Sequence, residues 1–408
     1  MKNLIKDTKK LAGWFFNGYL ERDYSYLEKG IFERSFEENM RLNLVISSVD
    51  KAKMYGGLTT AVNMYDYLCG ILDCDRRMIV TSDEVTDKVM AQYPEYCLQN
   101  ADEDSEKRKV ISNFCVENGK RKGLSVRAKD IFLATHWSTF YIISDVLAFQ
   151  REKFQTDNHI LYLIQDFEPG FYQWSTEYLL ADSTYRAENT VAIFNSFNLK
   201  DYFKQLNYKF EYTVAFEPRL NQVLLQHLKL IDTMKRKKQV IVYGRPHVAR
   251  NSFSIIVGAL NRLIEKYQPG IEWEFLSIGG KHKDVKLSGG RVLKGCGKLT
   301  LEEYAKILAQ SSVGISLMCS PHPSYPPLEM STFGVVTITN SFLCKDLSEF
   351  NENIVSLDIV NFETVAEALH AAMSKYTETK RVSKKSKYLE LDNQFVEVGT
   401  MIQKVIEK

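Results

Sequence analysis

Short β-rich runs alternate with longer stretches of helical spacing, and the alternation runs twice along this 408-residue chain. In the first half the runs are Leu42 to Ser48, Met78 to Thr81, Asp130 to Ala134 and His159 to Ile164, followed by Val191 to Phe194 and Tyr212 to Phe216. In the second they are Gln239 to Tyr243, Trp273 to Ile278, Arg291 to Leu293, Val313 to Met318 and Val335 to Thr339. Helical spacing fills Ser252 to Tyr267 and Leu301 to Ala309, and another helix is expected from Pro327. Parallel strands need a crossover between them, so this rhythm predicts β-α units on parallel sheets. The basic stretch Lys235 to Lys238 falls between the two sets and places a linker near Met234. The expected division is residues 1–234, 235–380 and a last helix in 381–408 whose apolar positions, Phe395 to Ile406, need a surface to cover. The predicted fold is α/β: two Rossmann-like domains facing a cleft, with ligands beyond the carboxyl ends of the strands.

Composition narrows the function classes. Lysine and arginine total 53 against 51 acids, a net charge of +2, so no field points to nucleic acid as a partner and any anion site must be local. Seven cysteines without C-x-x-C spacing support neither a disulfide scaffold nor a zinc ribbon, and they fit a reducing cytoplasm. Met1 to Leu20 mixes basic and apolar residues without the apolar core of a secretion signal. Two readings stand for it: a helix packed on its own domain, or an amphipathic helix resting on a membrane surface. No apolar run approaches the roughly 18 residues that a span needs.

Four stretches carry chemistry. In Val242-Tyr243-Gly244-Arg245-Pro246-His247-Val248-Ala249-Arg250-Asn251-Ser252 a strand ends at a glycine, two arginines stand five apart, and Asn or Ser is placed to cap a helix. Guanidinium forks and a helix N-terminus together suit a phosphate group; surface arginines on a solvated loop are the alternative. In Ser320 to Met330, Glu329 is expected in the first helical turn, where a carboxylate can hold a ribose diol or merely complement the helix dipole. His322 is either structural or a cleft residue. Met54-Tyr55-Gly56-Gly57-Leu58 permits positive φ and close approach to a ligand, or is an ordinary turn. Thr135-His136-Trp137 and Gln165-Asp166-Phe167-Glu168-Pro169-Gly170-Phe171-Tyr172 bring carboxylates and aromatic faces to strand ends, as sugar recognition requires, unless they are core loops. No G-x-G-x-x-G opens a helix and no G-x-x-x-x-G-K-[ST] occurs, which disfavours nicotinamide oxidoreductases and P-loop NTPases.

Three runs, YLIQDFEPGFYQWSTEYLLADSTYR ending at Arg186, VYGRPHVARNSF from Val242 and SPHPSYPPLEMSTFGVVTITN from Ser320, resemble the WsaF-type rhamnosyltransferases of bacterial surface polysaccharide assembly. These belong to the GT-B superfamily, in the retaining family-4 group. The resemblance implies an acceptor-binding first domain, a nucleotide-sugar-binding second domain and a final helix crossing back onto the first. By position, Arg245 and Arg250 resemble the pair that holds the donor diphosphate, with Gly244 ending the strand before them. Glu329 resembles the carboxylate on the ribose, Gly297-Lys298-Leu299 the loop over the nucleobase, and Gly56 and Gly57 the glycine pair facing the donor. Asp166 and Glu168 sit where acceptor or transferred sugar should lie, and Thr135, His136, Trp137, Phe171 and Tyr172 are the expected acceptor contacts. Where the family pattern has another Glu, eight positions before Glu329, this chain has Pro321, with His322 or Tyr325 as substitutes.

The implied reaction is transfer with retention of anomeric configuration, from dTDP-L-rhamnose, to a glycan or lipid-linked glycan acceptor. No cofactor and no metal are expected; Asp73-Cys74-Asp75 has the Asp-x-Asp spacing but sits at a helix end. Alternatives keep the scaffold with a UDP- or GDP-sugar, or make it a non-catalytic glycan-binding or scaffold subunit. The expected location is cytoplasmic, with peripheral contact at the inner face of the membrane through the N-terminal segment, and a homodimer is left open.

Overall fold

The computed structural model describes residues 24–54, 56–104, 108–117, 119–376, 387–389 and 393–407. The expectation for Met1 to Leu20, and most of that for 381–395, falls outside them. The first half contains β1 (Ile31–Arg34), β2 (Arg41–Ile46), β3 (Asp75–Val80), β4 (Cys97–Asn100), β5 (Lys109–Asn113), β6 (Gly123–Val126), β7 (Asp130–Ala134), β8 (Ile160–Ile164), β9 (Thr190–Phe194) and β10 (Tyr212–Ala215). The second contains β11 (Gln239–Gly244), β12 (Glu274–Gly279), β13 (Val285–Lys286), β14 (Val292–Gly297), β15 (Val313–Ile315), β16 (Val336–Asn340) and β17 (Ile354–Leu357).

Eight strands form one sheet in the order β10-β9-β8-β7-β2-β3-β5-β4, and seven form another in the order β13-β14-β12-β11-β15-β16-β17. Every pair in the first sheet is parallel, and in the second only β13 runs antiparallel, against β14. β2, β7, β8 and β9 are buried along their whole length, because helices cover both faces. Each sheet reverses direction once. In the first the chain grows outward from β2 to one side and returns to β7 on the other; in the second the same happens at β11 and β15. The crevices outside the carboxyl ends of β2/β7 and of β11/β15 are therefore where ligands settle in such sheets.

The helix Val396–Ile406 buries Val398, Ile402 and Val405 in the core of the first sheet, although Tyr388 shortly before it lies in a core of the second. The contact is close: a Cβ on Gly399 would stand 2.6 Å from Cδ1 of Ile71 on the helix Gly56–Leu72, so only glycine fits. A second tie is the tight turn Phe342–Lys345 after β16, closed by reciprocal backbone bonds of 2.9 and 3.0 Å. Phe342 packs against Tyr202 of the helix Phe197–Gln205, ring centroids 6.4 Å apart, and the Cys344 thiol donates to the Asn198 carbonyl at 3.2 Å.

Beneath the first sheet, where its strands begin, three arginines and three aspartates are buried together. Arg41 grips Asp130 with two bonds of 2.8 Å and reaches Asp104 at 2.9 Å. Arg127 holds Asp75 at 2.7 Å and Asp104 at 2.7 and 2.8 Å. Arg77 donates to Asn43 at 2.6 Å and to Ser125 twice at 2.9 Å, with Asp130 at 3.5 Å. Asp75, half of the Asp-x-Asp spacing, is thus committed to this network.

Candidate active site

β11 ends at Gly244, where a Cβ would meet the Ser277 hydroxyl at 1.9 Å, so the strand can lie this close to β12 only with glycine. Arg245 follows at the rim and bonds the Tyr243 phenol, whose pKa burial raises. Arg250 lies in the 3-10 turn Ala249–Asn251 before the helix Phe253–Tyr267. The expected Asn or Ser cap does not form. Ser252 is left-handed, φ 50°, and makes no side-chain bond, while the Asn251 amide turns to the Leu317 carbonyl at 3.4 Å. Neither Asn251 nor Ser252 therefore caps the helix N-terminus beside the arginines, and the backbone N–H groups of that terminus carry partial positive charge.

Arg250 joins the two halves. Its Nε lies 3.7 Å from Asp166 Oδ2 and its guanidinium carbon 4.2 Å from the centre of the Phe171 ring. Asp166, just past β8, accepts from its neighbour's backbone N–H at 2.8 Å and from the Ser320 hydroxyl of the second half. The Ser320 oxygen in turn accepts from the His322 N–H at 3.0 Å. Lys345 is fully buried nearby; it donates to the Met318 carbonyl at 2.8 Å, and burial brings its ammonium down to about 8 against the pull of Asp166. His322 accepts from the Ser324 N–H through Nδ1 at 3.0 Å, which leaves the proton on Nε2, a buried atom without a protein partner. Burial, helped by Lys345 and Arg250, holds this imidazole down to about 4, so it is a neutral donor at pH 7.

Tyr325 crosses the cleft as well. Its hydroxyl lies 3.4 Å from the Thr60 hydroxyl and accepts from the Asn195 amide at 3.3 Å, and its ring stands where a Cβ on Gly56 would lie 3.7 Å away. A Cβ on Gly57 would reach Gln165 at 3.0 Å. Both glycines open the helix Gly56–Leu72, where they leave room for the Tyr325 ring and the Gln165 amide. Glu329 is the fifth residue of the helix Tyr325–Thr332, not in its first turn, because the helix begins two residues before Pro327. Its carboxylate accepts from Tyr304 at 2.9 Å, and burial raises its pKa to about 7. Leu299 lies with Tyr243, Tyr304 and Tyr325 at the edge of one apolar cluster, and Lys298 is exposed after Gly297, whose φ is 69°.

The other expected contacts turn inward. The Glu168 carboxylate accepts from the Trp137 N–H at 2.7 Å and from the hydroxyls of Tyr162 and Tyr185 at 3.2 and 3.3 Å, and burial raises its pKa to about 8. It holds the start of the helix Trp137–Ile143. Trp137 is completely buried, its indole bonded to Tyr172 at 2.9 Å, and Thr135 donates to the Val45 carbonyl at 2.9 Å. His136 caps the same helix, its Nδ1 accepting from Ser138 N at 3.3 Å, and burial keeps it near 4. Thr135, His136, Trp137 and Glu168 are thus bonded around the start of this helix, and Phe171 lies under Arg250, its ring centre 4.2 Å from the guanidinium carbon. Sequence reasoning missed Ser320, Lys345, Asn195 and Thr60, whose contacts span 130 to 265 residues of chain, which no local spacing announces.

Among the described residues no group of three or more His, Cys, Asp or Glu is placed to hold a metal ion, and no helix is long and apolar enough to cross a membrane. Residues 41–197 match the WsaF N-terminal domain and residues 238–370 the WsaF C-terminal domain. The O-antigen biosynthesis protein RfbC of Myxococcus xanthus is 30% identical over 214 residues, which are 52% of this chain and 16% of RfbC. Among solved structures, Anabaena HepE in complex with UDP and glucose superposes with a TM-score of 0.60 at 11% identity, covering 90% of this chain and all of HepE. The sucrose-phosphate synthase of Thermosynechococcus elongatus gives 0.51 at 11% identity over 82% of this chain and 90% of its own. Two parallel sheets meeting at their reversal points, and both domains of one family in order, lead to one conclusion: the chain belongs to the WsaF family of glycosyltransferases, with the GT-B fold.

Proposed function

We propose that the chain transfers L-rhamnose from dTDP-L-rhamnose to a bacterial surface glycan, with retention of anomeric configuration and without a metal. The observation that carries the donor side is the pairing of Arg245 and Arg250 with an uncapped helix N-terminus at the reversal point of the second sheet. A diphosphate there meets permanent positive charge while the Glu329 carboxylate, oriented by Tyr304, takes the ribose hydroxyls. The bond from the sugar's anomeric carbon to the diphosphate oxygen breaks, both electrons leaving with the nucleoside diphosphate, and the guanidinium groups offset that charge. The acceptor hydroxyl attacks from the same face and its proton passes to the departing diphosphate oxygen. His322 donates through Nε2–H to a hydroxyl of the transferred sugar, in the place of the Glu that the family pattern has at Pro321. Rhamnose and the surface-glycan acceptor rest on the family match and on the likeness to an O-antigen biosynthesis protein.

A UDP-sugar donor is the second reading, supported by the likeness to HepE, solved with UDP and glucose. Thermal unfolding with dTDP, dTDP-L-rhamnose, UDP and GDP, each with magnesium and with EDTA, separates the two. A ligand at 100 times its dissociation constant adds about 2.7 kcal/mol to stability. The expected result is a rise in the midpoint with the dTDP ligands, equal in EDTA. A rise with UDP alone replaces the donor, and loss of the rise in EDTA overturns the metal-free scheme.

A further inference from the structure

A cavity of about 510 Å³ opens beside the helix Gly56–Leu72, and the segment Gln92 to Tyr96 forms its other wall. Thr59, Val62, Asn63 and Asp66 line it from the helix. Their spacing of i, i+3, i+4 and i+7 is a single stripe, and Thr60, the partner of Tyr325, lies about 100° round the helix from Thr59. The cavity therefore neighbours the donor cleft but is walled by other side chains, and none of the residues assigned above to donor or reacting sugar lines it. Its volume lies within the range of roughly 300–1,000 Å³ usual for ligand sites.

The lining is specific in kind. The Asn63 amide can both donate and accept, Asp66 and Glu95 supply acceptor oxygens, and the Gln92 amide is fixed in the wall, its oxygen accepting from the Lys51 N–H at 2.8 Å and its nitrogen donating to Asp50 at 3.2 Å. Each carboxylate is oriented by a cation on the sheet behind it, Asp66 by Arg76 at 3.6 Å and Glu95 by Lys109. Buried Tyr93 and Tyr96, edge to face at 6.1 Å, make an apolar floor, and Lys51 leans over Tyr93 at 4.9 Å while donating to the Gln92 carbonyl at 2.9 Å. Asp66 and Glu95 are each paired with a cation and Lys51 is turned to the Gln92 carbonyl, so the lining offers no free charge to a phosphate or a carboxylated ligand. The Asn63 amide and ion-paired carboxylates over tyrosine rings match instead a ring with hydroxyls on its edge and C–H groups on its faces.

We infer that this cavity holds a neutral saccharide unit of the acceptor glycan, remote from the unit being modified, which rests on the glycan-acceptor reading above. The helix that bears the stripe begins at Gly56 and Gly57 in the cleft, so a glycan seated here presents its growing end toward Asp166 and Arg250. The site thereby reads the chain already built, not the donor.

The test is capture of fluorescently labelled protein on an array of bacterial surface polysaccharides and rhamnose-containing oligosaccharides. Wild type is compared with Asn63→Trp, which fills the cavity, and Asn63→Ala, which removes the amide; Asn63 is exposed, so the fold survives both. The expected result is capture of at least one glycan by wild type, reduced tenfold or more in Asn63→Trp and less in Asn63→Ala. The melting shift with nucleotide should be equal in all three proteins. Equal capture by wild type and Asn63→Trp overturns the site, and so does a wild type that captures nothing. Capture that depends on Asn63 without any nucleotide shift keeps the site and removes the donor assignment instead.

Discussion

Two regions of this molecule bury charge, and they treat it oppositely. Under the first sheet every charge faces its complement: Arg41, Arg77 and Arg127 are enclosed with Asp75, Asp104 and Asp130. Neighbouring arginines lower Asp130 and Asp104 and hold them ionised, although burial and the other arginines bring Arg77 down to about 9. Across the cleft, buried groups are left short of complements. Glu329 rises to about 7, Lys345 falls to about 8, and His322 keeps an Nε2–H that no protein atom accepts. Closed networks of this kind set strand register, while under-satisfied ones wait for a ligand to complete them.

The largest effect expected from breaking the contrast is Asp130→Ala. It strands Arg41 and Arg77 in the core, at a cost of roughly 3–5 kcal/mol in thermal or urea unfolding. Arg250→Ala should do the reverse, leaving the melting temperature close to wild type and lowering turnover by about 10²–10³-fold. A turnover unchanged by this substitution would remove the diphosphate assignment. Glu329→Gln should weaken donor binding by about tenfold, the equivalent of about 1.4 kcal/mol, with turnover at saturating donor largely kept.

Glu168 sharpens the comparison by pH. Its folded pKa of about 8 lies above the ordinary glutamate value, so its contribution to stability is full below about pH 4.5 and is lost as pH rises toward 8. Glu168→Gln has no such dependence. Its melting temperature relative to wild type should rise between pH 5 and pH 8, by the equivalent of at least about 1.4 kcal/mol. A difference that stays flat would show that the carboxyl is not held protonated. The smallest effect belongs to the exposed Lys29–Asp145 pair at 2.8 Å, where Lys29→Ala should cost less than about 1 kcal/mol.

The double alternation was legible because buried parallel strands are apolar throughout, as in β8 and β11. β4 and β5 were not, since Cys97–Asn100 is a short, largely exposed edge strand and Lys109–Asn113, which it covers, has only Val110 and Ile111 as an apolar run. In the candidate site, Arg250 and Asp166 lie 3.7 Å apart across the cleft, a juxtaposition that their strand-end positions made legible as two separate candidates but not as a pair. For Glu168 and Trp137 the sequence left two readings open, because a carboxylate and an aromatic ring also serve to seat a helix, and the bond between them belongs to that second use. Lys345 was invisible because its burial depends on Asp166, 179 residues earlier in the chain.

The turn Phe342–Lys345 has a kinetic meaning. Any motion that parts the two sheets must draw Phe342 off Tyr202, release the Cys344 thiol from Asn198 and carry the buried Lys345 ammonium away from Asp166. Opening is therefore not a free swing about the crossing helix but a stepwise undocking. The barrier to separating the halves is thus set in part by a peg from one half seated in a socket of the other.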